Sequence, residues 1–366
     1  MNALKAFFFI LGAPDPEMNL IETMLRTLGL SYAYATHGSG NENSRVHAGV
    51  AYKTTGVVKP DGTKVNFLDI IQNKTHLHGG HPVEGVGLTT TALIECGIAG
   101  DDSPAPPDGI YRNKAGKPRI VIDHHRPGDP GYGLEPARYM EASSIGQLLL
   151  LLAKEGAMAR YLPPEVREGI EALVHHDYAM MPSSYPEDPI YWWADPNVGG
   201  LQWIYSDDEW DGNVMGYWPR DEVRLAAAAD HCLGAAYRGQ CPGVDPDALE
   251  AWRIKTRAAF QGRDEVDVRR DVEAAKAALQ EAPKFGGHPV ADLRKVHLPE
   301  LPEASARLGM GFISEVNTPD NRRKVVVQNA PEEFLRAFIA GEILPELTDR
   351  YGDPVRGFAG GYLPSD

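Results

Sequence analysis

Cysteine is nearly absent: Cys96, Cys232 and Cys241 form no CxxC pair and leave an odd thiol, which fits a reducing, cytoplasmic setting better than a disulfide framework. Positive charge is also short. With 36 Lys and Arg against 51 Asp and Glu, the formal charge of −15 repels long nucleic-acid backbones, so no long duplex partner is expected. A small anionic substrate held through metal ions stays compatible with that charge. Long hydrophobic runs are missing too. Residues 6–12 are apolar but too few to span a bilayer, and no small-residue cleavage site follows a basic segment, so they read as a buried first strand and no membrane partner is expected. Low-complexity tracts and internal repeats are not found. The 43% apolar and 24% charged residues are those of a folded soluble protein, and 366 residues exceed one ordinary core.

The order of elements suggests an α/β fold. Residues 7–11 read as a strand, 18–28 as a helix with Leu20, Met24 and Leu28 on one face, 46–52 as a strand, and 67–71 as the start of a short helix. Further apolar runs at 90–96 and 119–122 end in ionisable residues, as parallel strands do when they present ligands at their carboxyl ends. Two serines open an apolar helix at 143–152, and residues 166–173 continue helically. Residues 181–219 form a long insertion holding Trp192, Trp193, Trp203, Trp210 and Trp218, whose aromatics more readily pack under a loop than stack on a base. Helices are expected at 222–237, 246–260 and 264–279, strands at 306–316 and 324–327, and a helix at 331–339. The domain reading is therefore 1–220 for a parallel-sheet domain with its insertion, 221–288 for a helical connector, and 289–366 for a smaller C-terminal α/β domain.

Chemistry concentrates at VIDHH, residues 121–125, an apolar strand ending in Asp123, His124 and His125. Hydrolysing a phosphate ester at neutral pH needs an activated water and neutralised phosphoryl oxygens, which two metal ions supply, and carboxylates mixed with imidazoles suit such ions. Asp177, following His175 and His176, is a second candidate on a separate element. VIDHH followed by ASSIGQLL at 142–149 resembles the DHH phosphoesterase superfamily. PDPE at 14–17 resembles its first motif, Glu95 stands at the second, and Asp177 at the fourth. The resemblance covers most of the first two hundred residues. It implies a DHH-type domain in which His124 and Asp177 ligate one metal, His125 contacts the substrate phosphate and Asp123 orients the site. It also implies that Glu95 bridges the ions while Asp15 and Glu17 each hold one, with Mn2+ or Mg2+ as the metal.

The chain departs from that pattern in three places. Leu11 occupies the position of a histidine, and Glu17 and Glu95 replace aspartates, each one methylene longer. His76, His78 or His81 could replace the imidazole, although loop histidines are more often solvated. Ser143 and Ser144 could bind phosphate at a helix start or simply cap it. Arg126 and Arg138 could clamp a phosphate or pair with acidic neighbours. In GFAGGYLP at 357–364, Gly360 and Gly361 resemble the family's glycine-rich phosphate-approach element, with Tyr362 where a histidine often follows; a plain turn is the alternative. The leading expectation is a metal-dependent phosphoesterase acting on a short oligonucleotide, a cyclic nucleotide or another small phosphoester. The rivals are a nucleotide-binding or interaction protein that has lost catalysis, and a homo-oligomer assembled through the tryptophan-rich insertion.

Overall fold

A computed structural model describes residues 7–27, 29–37, 44–47, 52–65, 90–99, 110–112, 118–158, 220–318, 322–354 and 357–364. Asp177, the three histidines at 76, 78 and 81, the helix expected at 67–71 and the tryptophan-rich insertion lie outside them. The chain is mixed α/β and divides into two compact units, Met1–Cys232 and Leu233–Asp366. No described helix is long and apolar enough to cross a membrane.

The first unit is built on β1 (Phe7–Leu11), whose unbroken FFFIL run is buried along its whole length, as a central parallel strand covered on both faces requires. Helix α1 (Pro16–Thr27) follows, then β2 (Tyr32–Thr36), β3 (Lys53–Thr54), β4 (Gly56–Val58), β5 (Lys64–Val65), β6 (Thr90–Ile94), β7 (Gly97–Ile98), β8 (Ile110–Arg112) and β9 (Pro118–Ile122). The main sheet runs β5-β4-β2-β1-β6-β9-β8, with β2, β1, β6 and β9 mutually parallel and antiparallel strands at both edges. Leaving β1, the chain first adds β2 on one side and only later β6 and β9 on the other. That reversal puts a topological switch between β1 and β6, where ligands collect beyond the carboxyl ends of the strands. Strand β2 was hidden in the sequence because YAYAT alternates tyrosine with small alanines, and only the alanines are fully buried.

After β9 come a 3-10 turn (Pro136–Arg138), α2 (Tyr139–Ala142), α3 (Ser144–Met158) and α4 (Arg220–Tyr237). Helix α4 breaks at Cys232, whose φ of −148° and ψ of 41° lie outside the helical region, and the first unit ends there.

In the second unit, α5 (Pro246–Gln261) and α6 (Glu265–Glu281) start at Asp245 and Asp264, whose side chains accept from the amides of Asp247 and Val266. They precede β10 (Val290–Asp292), α7 (Leu301–Leu308), β11 (Gly311–Asn317), β12 (Arg323–Gln328), α8 (Glu332–Ala340), β13 (Thr348–Asp353) and β14 (Phe358–Tyr362). The sheet order is β10-β11-β12-β14-β13, antiparallel except for β10 against β11. Two sequence expectations change here. Residues 306–308 finish a helix rather than begin a strand, because Gly309 takes the left-handed conformation that ends α7. Of the helices expected as a connector, α4 up to Cys232 lies in the first unit, whereas α5 and α6 lie in the C-terminal one, where Ala275 and Leu279 share one core with Leu301, Ala304 and Phe312.

One contact fixes the frame of the site to come. A Cβ at Gly146, in the first turn of α3, would lie 1.6 Å from the Met140 carbonyl oxygen, so α2 and α3 pack this closely only around glycine. Gly146→Ala is expected to destabilise the protein by about 1–3 kcal/mol in urea unfolding. An unchanged midpoint would show that the two helices can separate freely.

Candidate metal centre

Three strand ends converge at the carboxyl edge of the parallel sheet. Beyond β1, the Gly12 amide donates to the Ile94 carbonyl at 2.9 Å, and a Cβ at Gly12 would sit 2.5 Å from the Glu95 carbonyl oxygen. Glycine thus lets the chain pass close to Glu95 on its way to Asp15, whose Oδ1 accepts from the Met18 amide at 2.7 Å and caps α1. Beyond β6, Glu95 itself has φ of +52°, a left-handed conformation that costs a non-glycine residue about 1 kcal/mol or more. Its amide is held by the Ile122 carbonyl at 3.0 Å, so the turn is fixed from both neighbouring strands. Beyond β9 stand Asp123, His124 and His125.

Asp123 is fully buried and saturated. Its Oδ1 accepts from the His124 amide (2.7 Å), the His125 amide (3.1 Å) and His125 Nδ1 (2.8 Å), while Oδ2 accepts from Tyr52 Oη at 2.9 Å. Burial works to raise its pKa, but the hydrogen bond and charge of His125 outweigh it and hold the carboxyl below its usual range. With every lone pair engaged, Asp123 positions its neighbours. Its carboxylate fixes a proton on His125 Nδ1; with Nε2 unprotonated the ring can ligate a metal, and with Nε2 protonated it can donate to a phosphate oxygen. Gln147 locks this segment to α3, donating to the Asp123 carbonyl (3.0 Å) and the Ala142 carbonyl (2.7 Å) and accepting from the Asp123 amide (3.2 Å).

Around this support lie two groups whose donor atoms sit within 4.8 Å of one another: Glu95 with His124 and His125, and Asp15 with Glu95 and Asp230. Glu95 belongs to both. Asp230, on α4, also lies with Oδ2 3.1 Å from His124 Nε2. Glu17 Oε2 and Glu95 Oε1 are buried without a hydrogen-bond partner among the described residues. Burial and the neighbouring Asp230 charge raise Asp15 to about 7 and push Glu17 and Glu95 well above the carboxylate range. Asp230 goes the other way: burial opposes its ionisation, but the His124 charge holds it low. Unsatisfied buried carboxylate oxygens that repel one another are a fit for cations, and the mixture of oxygen and imidazole donors suits Mn2+ better than Mg2+, which favours oxygen alone.

The other residues singled out in the sequence divide by position. Glu17 is beside the cluster but spends Oε1 on the Ile145 amide at 2.9 Å, capping α3 from a distance. Ser143 Oγ accepts from the Gly146 amide at 3.2 Å and is a helix cap, whereas the buried Ser144 hydroxyl lies beside Glu95 and works to lower its pKa. The Arg126 guanidinium lies 3.3 Å from the centre of the Tyr52 ring, and Arg138 pairs with Glu141. Leu11 is wholly buried. Gly360 and Gly361 lie buried within β14, paired with Val326 and Val325, and a Cβ at Gly360 would strike the Tyr351 hydroxyl at 2.3 Å. That close ring accounts for glycine at position 360 through packing.

Sequence reasoning missed three residues. Asp230 interrupts an alanine-rich helix, and that break in AAAADHC was its only signal. Tyr52 and Arg45 had none; Arg45 Nε donates to the Gly12 carbonyl at 2.7 Å, with its guanidinium 4.4 Å over the Tyr34 ring. No family model matches the chain, and no curated protein matches it.

The raised carboxyls make the metal-free protein pH-sensitive. Folded Asp15 keeps its proton up to about 7, but an unfolded chain releases it near 3.8, so the native state binds more protons across that window and loses stability as pH rises. Metal-free protein should therefore melt at a lower temperature at pH 7.5 than at pH 5, with Mn2+ restoring the loss. A melting temperature that is flat or climbs over that range contradicts the electrostatic picture.

Proposed function

We propose that this chain is a divalent-metal-dependent phosphoesterase of the DHH type, acting on a small phosphoester such as a short oligonucleotide or a cyclic nucleotide. The observation that carries the reading is Glu95, a buried carboxylate common to both candidate ligand groups at the switch of a parallel sheet. A carboxylate shared in this way is what a bridging ligand between two ions looks like. The strained backbone at Glu95 supports it, because such outliers persist where surrounding contacts hold a functional side chain in place.

When bound, a pair of such ions would activate a water as nucleophile and neutralise the phosphoryl oxygens. Glu95 and His124 would hold the centre, Asp15 and Asp230 would add carboxylates, and Asp123 orients the His125 ring through Nδ1. Unprotonated, Nε2 of that ring can serve as a ligand; protonated, it can donate to a phosphate oxygen. Arg126, kept in place by the Tyr52 ring, is the nearby cation for a phosphoryl oxygen.

Glu17 favours a second reading. With Oε1 committed to the Ile145 amide, it offers less to a metal than an aspartate in a free loop, as in a nucleotide-binding protein that has lost catalysis. Turnover separates the two. With Mn2+, the protein should hydrolyse bis-p-nitrophenyl phosphate or a linear dinucleotide, and Glu95→Gln should lower kcat at least 100-fold, about 2.7 kcal/mol or more in the barrier. Nucleotide binding without turnover would favour the degenerate reading, and activity untouched by Glu95→Gln would remove the proposed centre altogether.

A further inference from the structure

Tyr52 touches the site twice. Its Oη donates to Asp123 Oδ2 at 2.9 Å, and Oδ1 of the same carboxylate holds His125 Nδ1 at 2.8 Å. Its ring lies under the Arg126 guanidinium, 3.3 Å from the ring centre, well inside the range of a cation–π contact. His125 and Arg126 are neighbours in the chain, yet each is held through a different part of one side chain, supplied 71 residues before Asp123.

The backbone around Tyr52 keeps it in place. Its carbonyl accepts from the Gly97 amide at 3.0 Å, and the next residue, Lys53, pairs with Gly97 in the two-stranded β3–β7 sheet. A Cβ at Gly97 would lie 2.7 Å from Tyr52 Cε1, so glycine leaves the room that the ring occupies. Gly97 stands two residues beyond Glu95, and the turn that carries the shared carboxylate therefore grips the tyrosine as well. A phenylalanine could fill the same space beside Gly97 and Arg126. Only the hydroxyl reaches Asp123, and without it the carboxylate is free to turn, taking the His125 ring with it.

We propose that Tyr52 is a positioning residue that sets two groups at once: its hydroxyl, acting through Asp123, aims the His125 imidazole, and its ring aims the Arg126 guanidinium. The role of the hydroxyl is the same whether His125 Nε2 ligates a metal or donates to a phosphate oxygen. The proposal rests on the reading of this centre as a phosphoesterase site, and the two fail in different ways.

Kinetics of the Mn2+-loaded full chain with bis-p-nitrophenyl phosphate separate the hydroxyl from the ring. Tyr52→Phe removes the hydroxyl and keeps the stack, and should lower kcat about 10–100-fold while KM stays nearly constant. Tyr52→Leu removes both, so the same fall in kcat should come with a rise in KM of about tenfold, as in Arg126→Ala. Adding Tyr52→Leu to Arg126→Ala should raise KM no further, because the ring acts on KM only through that guanidinium. Lost packing alone would lower the melting temperature without this split. An unchanged kcat in Tyr52→Phe overturns the role of the hydroxyl, and KM effects that add in the double variant overturn that of the ring. Should Tyr52→Leu fail to fold, Arg126→Lys keeps the charge without the planar stack: a raised KM supports the role of the ring and an unchanged one overturns it. Absence of turnover by the parent protein overturns the phosphoesterase reading instead. Inorganic phosphate then probes the ring: binding about tenfold weaker in Tyr52→Leu than in Tyr52→Phe supports its role, and equal binding overturns it. Exchange of the His125 Nδ1 proton in metal-free protein probes the hydroxyl, with faster exchange in Tyr52→Phe supporting its role and an unchanged rate overturning it.

Discussion

The fold of the first unit is organised around one electrostatic burden: several carboxylates buried together at one sheet edge. Asp15, Glu17, Glu95 and Asp230 repel one another there. The protein answers only part of this repulsion from its own resources. His124 faces Asp230, and helix amides cap Asp15 and one oxygen of Glu17, but buried oxygens on Glu17 and Glu95 are left without donors among the described residues. A cation bound there would supply what is missing, and its charge would bring the raised carboxyls back to ionisation at neutral pH.

Seen this way, much of the local detail has one cause. Gly12 lets the chain pass against Glu95, Glu95 accepts a left-handed backbone, and Gly146 lets α3 begin hard against α2, where Glu17 and Ser143 cap it. Asp123 is spent on four hydrogen bonds so that the two histidines after it are rigid. Preorganisation of this kind lowers the cost of gathering ligands around an ion.

How much of this was legible beforehand depended on whether the signal was local. The strands at 7–11 and 119–122 announce themselves by continuous apolar runs, and Asp123, His124 and His125 stand directly behind one of them. Asp15 and Glu95 follow strands in the same way, and all of these meet in the structure. Asp230 was hidden because it reaches the cluster from a helix more than a hundred residues after the strand, and helix periodicity does not say what its polar positions face. Tyr52 belongs to a segment whose pairing is short and irregular, so nothing local marked its hydroxyl as a donor to Asp123. The glycines at 360 and 361 show the converse: a conspicuous string whose first member is explained by the Tyr351 ring beside it.

The central claim is that Glu95 is shared between two metal ions, and anomalous diffraction at the manganese edge from crystals grown in Mn2+ tests it most directly. The account predicts two peaks flanking the Glu95 carboxylate, about 3.5–4 Å apart, one beside His124 and the other beside Asp15 and Asp230. Absence of any peak within the cluster at saturating Mn2+, or ions bound away from Glu95, would contradict it.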